Sequence, residues 1–311
     1  MWIIIVAALI IFAGLLYFAT LHFFNFGMLG VVSEKNAAKL AKLSTYKGSP
    51  HQKAAARAYK YANKMPNEDV YIQSFDGLKL HGKIFPCPEG GKKFILGIHG
   101  CRSNALNEFG PFMKFYHENG YNMLLPDDRA HGESEGKYIG FGNLDRLDCI
   151  KWAECLVERY GEDCEIILHG VSMGGAAVLS ASGEKLPPQV KGIISDSAFS
   201  SVFDQFTKSM RQIFDMPPFP FVPLCSLMCN FKAGYNFRDN SPLELVKKAK
   251  VPILFVQGLA DTVVEPEMAE KLYEACPARK RMLRIPDSGH AQSIGVDPVG
   301  YKAAIKEFFG I

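Results

Sequence analysis

Charged residues are absent from the beginning of this 311-residue chain: residues 1–32 contain no Asp, Glu, Lys or Arg. Residues 33–66 carry eight basic side chains against the single carboxylate of Glu34. Of the 35 basic and 32 acidic residues, this leaves 27 basic and 31 acidic for the rest of the chain. A nucleic-acid-binding domain would spread its basic residues over the folded surface. Because the excess of basic charge is confined to one short segment, the sequence excludes an RNA- or DNA-binding domain.

The sequence also lacks internal repeats, low-complexity tracts and zinc-type cysteine spacing. Eight cysteines are scattered through a chain that is long enough to fold without disulfides, and we expect them to be reduced thiols. Cys225 and Cys229 lie four residues apart, but no second ligand pair falls at zinc-finger spacing, so no metal site is expected. With 48% hydrophobic and 22% charged residues, the composition is typical of a globular protein with a sizeable core.

The uncharged N-terminal segment is long enough to cross a membrane. Trp2 to Ala19 is a run of residues without charge or a strongly polar group, and the apolar stretch continues to Phe26. At about 1.5 Å per residue, a helix of this length spans a hydrocarbon core of roughly 30 Å. A cleaved signal peptide is the alternative, but it needs a basic n-region and a shorter apolar core. We predict an uncleaved transmembrane anchor over residues 1–26.

Residues 27–66 are predicted to form a basic, helical linker beside the membrane, interrupted near Pro50. Four lysines follow the apolar run closely: Lys35, Lys39, Lys42 and Lys47. By the positive-inside rule, they place this side of the membrane, and the downstream domain, in the cytoplasm. Whether the linker helix contacts anionic lipid or is simply solvated stays open.

Residues 67–311 alternate between short apolar runs and helical patterns, which predicts an α/β fold with a mostly parallel sheet flanked by helices. The predicted strands are Asp69–Ser74, Leu78–Phe85, Phe94–His99, Tyr121–Pro126, Cys164–His169, Lys191–Asp196, Pro252–Gln257 and Arg281–Pro286. The predicted helices are Asn107–Asn119, Leu144–Tyr160, Met173–Gly183, Pro266–Cys276 and Pro298–Phe309. Asp76-Gly77 marks an antiparallel hairpin between the first two strands. The six later strands are compact apolar runs, typical of strands buried on both faces.

One connection is too long for a simple crossover. About 55 residues separate Asp196 from Val251, and they are rich in Phe and Met, with four prolines between Pro217 and Pro223. Since proline interrupts helices, we predict a folded-over helical cap at about residues 198–245 with an apolar underside. Core packing of extra helices is the alternative.

The most specific chemical motif is Gly170-Val171-Ser172-Met173-Gly174, which follows a predicted strand and opens a predicted helix. This is the G-x-S-x-G context, in which a nucleophilic serine stands on a sharp strand-to-helix turn. Side chains at the two glycine positions would clash with neighbouring elements. The amides at the helix start point to the place where negative charge develops during attack.

A serine nucleophile needs a histidine base, and the histidine needs a carboxylate that orients it. Asp261 and His290 each follow a predicted strand, in the chain order Ser, Asp, His that accompanies this type of elbow. Asp196, at the end of an earlier strand, is the alternative acid. His99 and His131 are interpreted as supports for loops near the site.

Two backbone N–H groups are expected to stabilise an oxyanion. One is that of Met173, directly after the serine, and the other is that of Cys101, in the loop after the strand Phe94–His99. The alternative, a catalytic or redox role for the Cys101 thiol, has only His99 as a neighbouring base.

Five motifs in this order resemble those of the α/β-hydrolase fold family, over about Tyr71 to Phe309. They are His99-Gly100-Cys101, Asp127 to Ser134, Gly170 to Gly175, Gly258 to Asp261, and Gly289-His290. The resemblance is nearest to membrane-anchored bacterial hydrolases of the serine aminopeptidase and monoglyceride-lipase-like branch. It implies an eight-stranded sheet with an antiparallel second strand, a cap after the sixth strand, and no cofactor. Cys101 departs from the aromatic or small residue often found there.

We therefore expect a membrane-anchored serine hydrolase that faces the cytoplasm. Ser172, His290 and Asp261 would cleave a small-molecule or lipid-like carboxylic ester through an acyl-enzyme intermediate. An amidase or peptidase, or an acyltransferase, would use the same three residues, because only the pocket differs. A membrane-tethered binding protein without catalysis is the alternative from another class.

Overall fold

The computed structural model describes residues 1–30 and 50–311, so the linker prediction for residues 31–49 lies outside the described residues. The helices are α1 (Trp2–Met28), α2 (Pro50–Ala62), α3 (Ala105–Glu118), α4 (Asp145–Tyr160), α5 (Met173–Ala181), α6 (Val202–Phe214), α7 (Phe221–Ala233), α8 (Pro242–Val246), α9 (Pro266–Ala275), α10 (Ser293–Val296) and α11 (Pro298–Phe309). The strands are β1 (Glu68–Gln73), β2 (Lys79–Phe85), β3 (Lys93–Ile98), β4 (Tyr121–Pro126), β5 (Glu165–Val171), β6 (Val190–Asp196), β7 (Ile253–Gly258) and β8 (Lys280–Ile285).

The eight strands form one sheet in the order β1-β2-β4-β3-β5-β6-β7-β8. Strand β2 is antiparallel to both β1 and β4, and the pairs from β4 to β8 are parallel. The predicted α/β class, the hairpin and the antiparallel second strand are confirmed. The prediction that β8 is buried on both faces is wrong: most of its residues are half-buried, because β8 is an edge strand with a neighbour on one side only.

Strand alternation divides the core between the two faces of the sheet. On one face, Leu96 and Leu168 pack in a cluster with Trp152 of α4. On the other face, Ile95 and Ile167 pack with aromatic residues of α3 and α11. Successive side chains of a strand point to opposite faces, so strands covered by helices on both sides need an almost continuous apolar run. All six residues of β4 and all six of β7 are buried.

The connection between β6 and β7 carries the cap helices α6, α7 and α8. Helix α6 ends at Phe214 and α7 begins at Phe221, so the proline-rich segment separates two helices, as predicted. Met210 of α6 and Val222 of α7 are buried and belong to a third apolar cluster beneath the cap. The cap insertion and its apolar underside are therefore present.

Helix α1 has two unlike halves. Its N-terminal part is exposed and strongly apolar, with a mean hydropathy of 2.7, long enough to cross a membrane. Its C-terminal part packs into the apolar cluster beneath the cap, where Phe24 and Met28 are fully buried. The N–H of Ile139 donates to the carbonyl of Met28 at 2.9 Å. The last two turns of this helix are thus part of the folded domain.

The unlike halves of α1 predict unlike effects of the same substitution. Phe24→Ala removes a ring that is 0% exposed, and we expect it to lower the free energy of unfolding by about 3–5 kcal/mol. Phe18→Ala removes a ring that is 68% exposed and should leave domain stability nearly unchanged. Thermal unfolding of the full chain in mild detergent, followed by the fluorescence of the buried Trp152, measures both. Equal melting temperatures for the two variants would contradict the packing of Phe24.

Candidate active site

Ser172 stands on a strained turn between β5 and α5. Its backbone has φ 56° and ψ −114°, a conformation that residues with a side chain rarely adopt. The Ser172 N–H donates to the carbonyl of Asp196 at 2.8 Å, which ties the turn to the end of β6. The turn lifts the serine side chain above the carboxyl edge of the sheet, where the loops after the parallel strands meet.

The glycines on either side of Ser172 are required by close backbone contacts. A Cβ atom at Gly170 would lie 2.1 Å from the carbonyl oxygen of Gly174. A Cβ atom at Gly174 would lie 2.0 Å from the carbonyl oxygen of Ile98. Backbone atoms cannot move out of the way as a flexible side chain can. The steric role that the motif predicts for both glycines is therefore present in the structure.

The structure brings Ser172, His290 and Asp261 together in one hydrogen-bonded chain. The Ser172 hydroxyl is 2.8 Å from Nε2 of His290. Nδ1 of His290 is 2.8 Å from Oδ2 of Asp261. These side chains come from three separate loops, after β5, β7 and β8. In this geometry His290 can accept the serine proton at Nε2 while its Nδ1–H donates to the carboxylate.

Asp261 is the carboxylate that reaches His290, and it is held from two further directions. Its Oδ1 accepts the N–H groups of Val263 and Val264 at 2.8 and 2.9 Å. Its Oδ2 also accepts the side-chain amide of Gln257 at 3.3 Å. These contacts fix the carboxylate plane, and with it the orientation of the imidazole ring.

Asp196, the alternative acid, serves another purpose. Its carboxylate accepts hydrogen bonds from the hydroxyls of Ser197 and Ser293, at 2.8 and 3.3 Å. Burial raises the pKa of this carboxyl to about 6. Asp196 therefore belongs to the support beneath the site, and the backbone carbonyl of the same residue holds Ser172.

Cys101 and Met173 both line the cavity into which Ser172 and His290 open. Met173 is the first residue of α5, whose N-terminal amides lack intrahelical partners and carry the positive end of the helix dipole. Burial raises the pKa of the Cys101 thiol, which disfavours a thiolate at this position. The oxyanion role expected for the amides of Cys101 and Met173 stays a prediction.

Two buried histidines support the loop that carries Cys101. Nε2 of His99 accepts the N–H of Asp128 at 3.1 Å, and its Nδ1–H donates to the carbonyl of Gly100 at 2.8 Å. Nε2 of His131 accepts the N–H of Arg102 at 2.9 Å. Burial lowers the pKa of His99 to about 4, so its ring is neutral and Nε2 can accept the N–H of Asp128. Neither ring contacts Ser172.

A cavity of about 780 Å³ lies between the sheet edge, the cap and helix α1. Ser172 and His290 open into it, and its walls are mostly aromatic and aliphatic. The apolar wall residues are Phe23, Phe26, Phe141, Met173, Phe199, Phe206, Met210, Ile213, Phe214, Val222, Cys225, Val263 and Val264. A space of this size and lining suits a small ligand with a large apolar part.

Comparisons with known proteins identify similar families and structures. A family model described as serine aminopeptidase, S33, matches residues 91–221, and one described as serine hydrolase (FSH1) matches residues 176–291. An esterase of Pyrococcus furiosus, Pf2001, has a similar structure, with a TM-score of 0.66 and 25% identity over 80% of this chain and 94% of that one. The chain has the α/β-hydrolase fold and is similar to serine hydrolases.

Relatives of this α/β-hydrolase occur in bacteria and in yeast. The uncharacterized protein YqkD of Bacillus subtilis is 27% identical over 221 residues, which are 71% of this chain and 72% of that protein. The uncharacterized membrane protein YNL320W of Saccharomyces cerevisiae is 28% identical over 195 residues, 62% of each chain. The two family models and the Pyrococcus furiosus esterase, not these uncharacterized relatives, relate the chain to serine hydrolases of esterase and peptidase type.

Two residues that hold the Cys101 loop cannot be identified from the sequence pattern. Oε2 of Glu108 accepts the N–H of Gly100 at 2.9 Å. The Arg102 guanidinium donates to the carbonyls of Phe26, Gly27 and Leu29 at the end of α1, at 2.6, 2.9 and 2.9 Å. Glutamate on an amphipathic helix and arginine in a loop are ordinary surface features until the fold brings their partners to them.

Glu108 predicts a pH dependence of stability. Burial raises the pKa of its carboxyl from 4.5 to about 7, so the folded chain holds this proton more tightly than the unfolded chain does. The stabilisation is fully present below pH 4.5 and is lost as the pH rises through about 7. Glu108→Gln removes this titration. Between pH 5 and 8 we expect the variant to gain roughly 1–3 kcal/mol relative to wild type.

Melting temperatures measured at several pH values test this prediction. Glu118→Gln, on the same helix α3 but with an exposed side chain, is the matched control and should keep the wild-type pH dependence. A pH dependence that is the same in Glu108→Gln and wild type would show that Glu108 does not titrate in this range.

Proposed function

We propose that this protein is a serine hydrolase that cleaves carboxylic esters with an apolar acyl group. The observation that carries the proposal is the hydrogen-bonded chain of Ser172, His290 and Asp261, which opens into an apolar cavity. Both parts are needed: the three side chains supply the chemistry, and the cavity supplies a place for the acyl group.

The reaction follows from the positions of these groups. Ser172 Oγ attacks the ester carbonyl carbon while Nε2 of His290 takes the hydroxyl proton. The N–H groups of Cys101 and Met173 donate to the oxygen that becomes negative. His290 then gives its proton to the departing alkoxide, and the acyl group remains bound to Ser172. His290 takes a proton from water, which attacks the acyl carbonyl carbon. The bond between that carbon and Ser172 Oγ then breaks, His290 returns the proton to Oγ, and the carboxylic acid is released.

The cavity walls favour an ester with an acyl chain over a peptide amino terminus. Burying an ammonium group among aromatic and aliphatic side chains is costly unless a carboxylate pairs with it. Burying methylene groups there is favourable, at about 0.8 kcal/mol each. The similarity to the Pyrococcus furiosus esterase supports the ester. The serine aminopeptidase family model keeps amide cleavage as the second candidate, and matched ester and amide substrates separate the two.

Helix α1 is proposed to be a retained membrane anchor. Its exposed half is apolar enough to lie in a bilayer, and its other half is packed beneath the cap with Phe24 and Met28 fully buried. Removal of the helix as a signal peptide would expose the surfaces that these side chains cover. The lysines at positions 35, 39, 42 and 47 support a cytoplasmic position of the domain.

The role of Ser172 predicts the outcome of covalent labelling. A fluorophosphonate probe should label the detergent-solubilised wild type, because it reacts with a serine that a histidine activates. Ser172→Ala should lose the label and p-nitrophenyl esterase activity. Ser209→Ala, which removes another hydroxyl from the same cavity, should keep the label. Labelling of Ser172→Ala at the wild-type level would exclude Ser172 as the nucleophile.

Substitutions of the two buried aspartates, Asp261 and Asp196, are expected to differ in their effect on catalysis. Asp261→Asn should lower kcat for a p-nitrophenyl ester by about 10³–10⁴-fold, because an amide no longer holds His290 in the required tautomer. Asp196→Asn should have a much smaller effect, since the Asp196 side chain is held by Ser197 and Ser293. Steady-state kinetics on both folded variants decides between them. A larger loss in Asp196→Asn would reverse the assignment of the acid.

A further inference from the structure

Part of the apolar cavity wall comes from the N-terminal helix. Phe23, Phe26 and Gly27 of α1 line the cavity that contains Ser172. The ring of Phe23 packs against those of Phe214 and Phe221 of the cap, with centroid distances of 4.8 and 4.9 Å, and Phe26 contacts Phe214 at 4.8 Å. Helix α1 and the cap therefore enclose the cavity together.

The position of these residues along α1 places the cavity close to the membrane surface. Residues 2–19 form the largely exposed part of the helix, and at 1.5 Å per residue they extend over about 27 Å, close to the thickness of a hydrocarbon core. Burial in the domain begins at Thr20. Phe23 and Gly27 follow Ala19 by four and eight residues, or about 6 and 12 Å along the helix axis. The wall is within two to three helical turns of the membrane.

The wall is also fixed relative to the reacting groups. Arg102 follows Cys101 directly and donates to three carbonyls at the end of α1. The last carbonyls of a helix have no intrahelical partners and carry the negative end of the helix dipole, so a guanidinium binds them well. The same short loop thus holds the proposed oxyanion donor and the end of the membrane helix.

We propose that the C-terminal half of α1 is a specificity-determining part of the substrate site. It bounds the space for the acyl chain of an ester that enters from the leaflet next to the domain. This inference rests on the proposed ester hydrolysis. It assigns to the proposed anchor a role in substrate selection, in addition to attaching the domain to the membrane.

Gly27 offers the sharpest test. Gly27 and Phe206 both line the cavity, and a Cβ atom at Gly27 would lie 2.5 Å from the Phe206 ring, so Gly27→Leu displaces that ring and reduces the space beside it. Gly14, in the exposed half of the same helix, has no atom within 4 Å of such a Cβ, and Gly14→Leu is the matched control. For full-length protein in detergent, kcat/KM is measured on p-nitrophenyl esters from acetate to laurate.

Gly27→Leu should lower the ratio of the laurate to the acetate kcat/KM at least tenfold, the effect of excluding about two methylene groups from an apolar site. Gly14→Leu should reproduce the wild-type ratio. Phe26→Ala enlarges the cavity and should move the preferred chain length upward. Wild-type chain-length profiles in both Gly27→Leu and Phe26→Ala, with melting temperatures that show folded protein, would overturn the inference.

A separate experiment tests whether the ester substrate enters the cavity from the bilayer. The full chain is reconstituted into phosphatidylcholine vesicles, and a fluorogenic long-chain ester is placed either in the same vesicles or in separate ones. Hydrolysis should be at least tenfold faster in the shared bilayer; equal rates would overturn entry from the membrane. Fluorophosphonate labelling of Ser172 separates the two proposals. Labelled, active protein with an unaltered profile refutes only the role of α1, whereas unlabelled wild type refutes the hydrolase itself.

Discussion

The turn at Ser172 is the constraint on which the arrangement of the site depends. A serine at φ 56° needs surrounding contacts that prevent its backbone from relaxing to a less strained conformation. Gly170 and Gly174 provide it by allowing β5 and α5 to approach each other and the end of β3 at contact distance. The Asp196 carbonyl holds the serine amide from the other side. The parallel packing of β3, β5 and β6 therefore stabilises the turn at Ser172. This turn determines the position that a base must occupy to reach the serine hydroxyl.

The loop from Gly100 to Arg102 depends on partners from three directions. Glu108 holds the Gly100 amide, His131 holds the Arg102 amide, and the Arg102 guanidinium holds the end of α1. A loop that supplies an oxyanion donor must keep its position while charge develops, because donors that are already in place need no reorganisation. Here that rigidity comes from a carboxylate, an imidazole and a helix terminus.

The sequence predicted the sheet and the proximity of Ser172, Asp261 and His290 for the same physical reason. Each of these residues follows a strand, and the carboxyl ends of parallel strands meet at one edge, so topology alone brings them near one another. The contacts of Arg102 with Phe26 and Gly27 could not be predicted in this way. They join residues 75 and 76 positions apart, and no periodic pattern links a loop arginine to the last carbonyls of an apolar helix. The prediction that β8 is buried on both faces is wrong because β8 contains Lys280, Arg281 and Arg284 and lies at the edge of the sheet.

The way in which α1 is attached bears on how the domain faces a membrane. A helix that is joined to a domain only through a chain segment can adopt many orientations relative to that domain. The contacts of Phe24, Met28 and the helix carbonyls with the domain select one of these orientations. In that orientation the cavity wall is an extension of the helix that we propose to cross the bilayer. Under this proposal, a substrate diffusing within the leaflet would meet the cavity at a fixed height and angle, and its effective concentration there would exceed that of a substrate arriving through water.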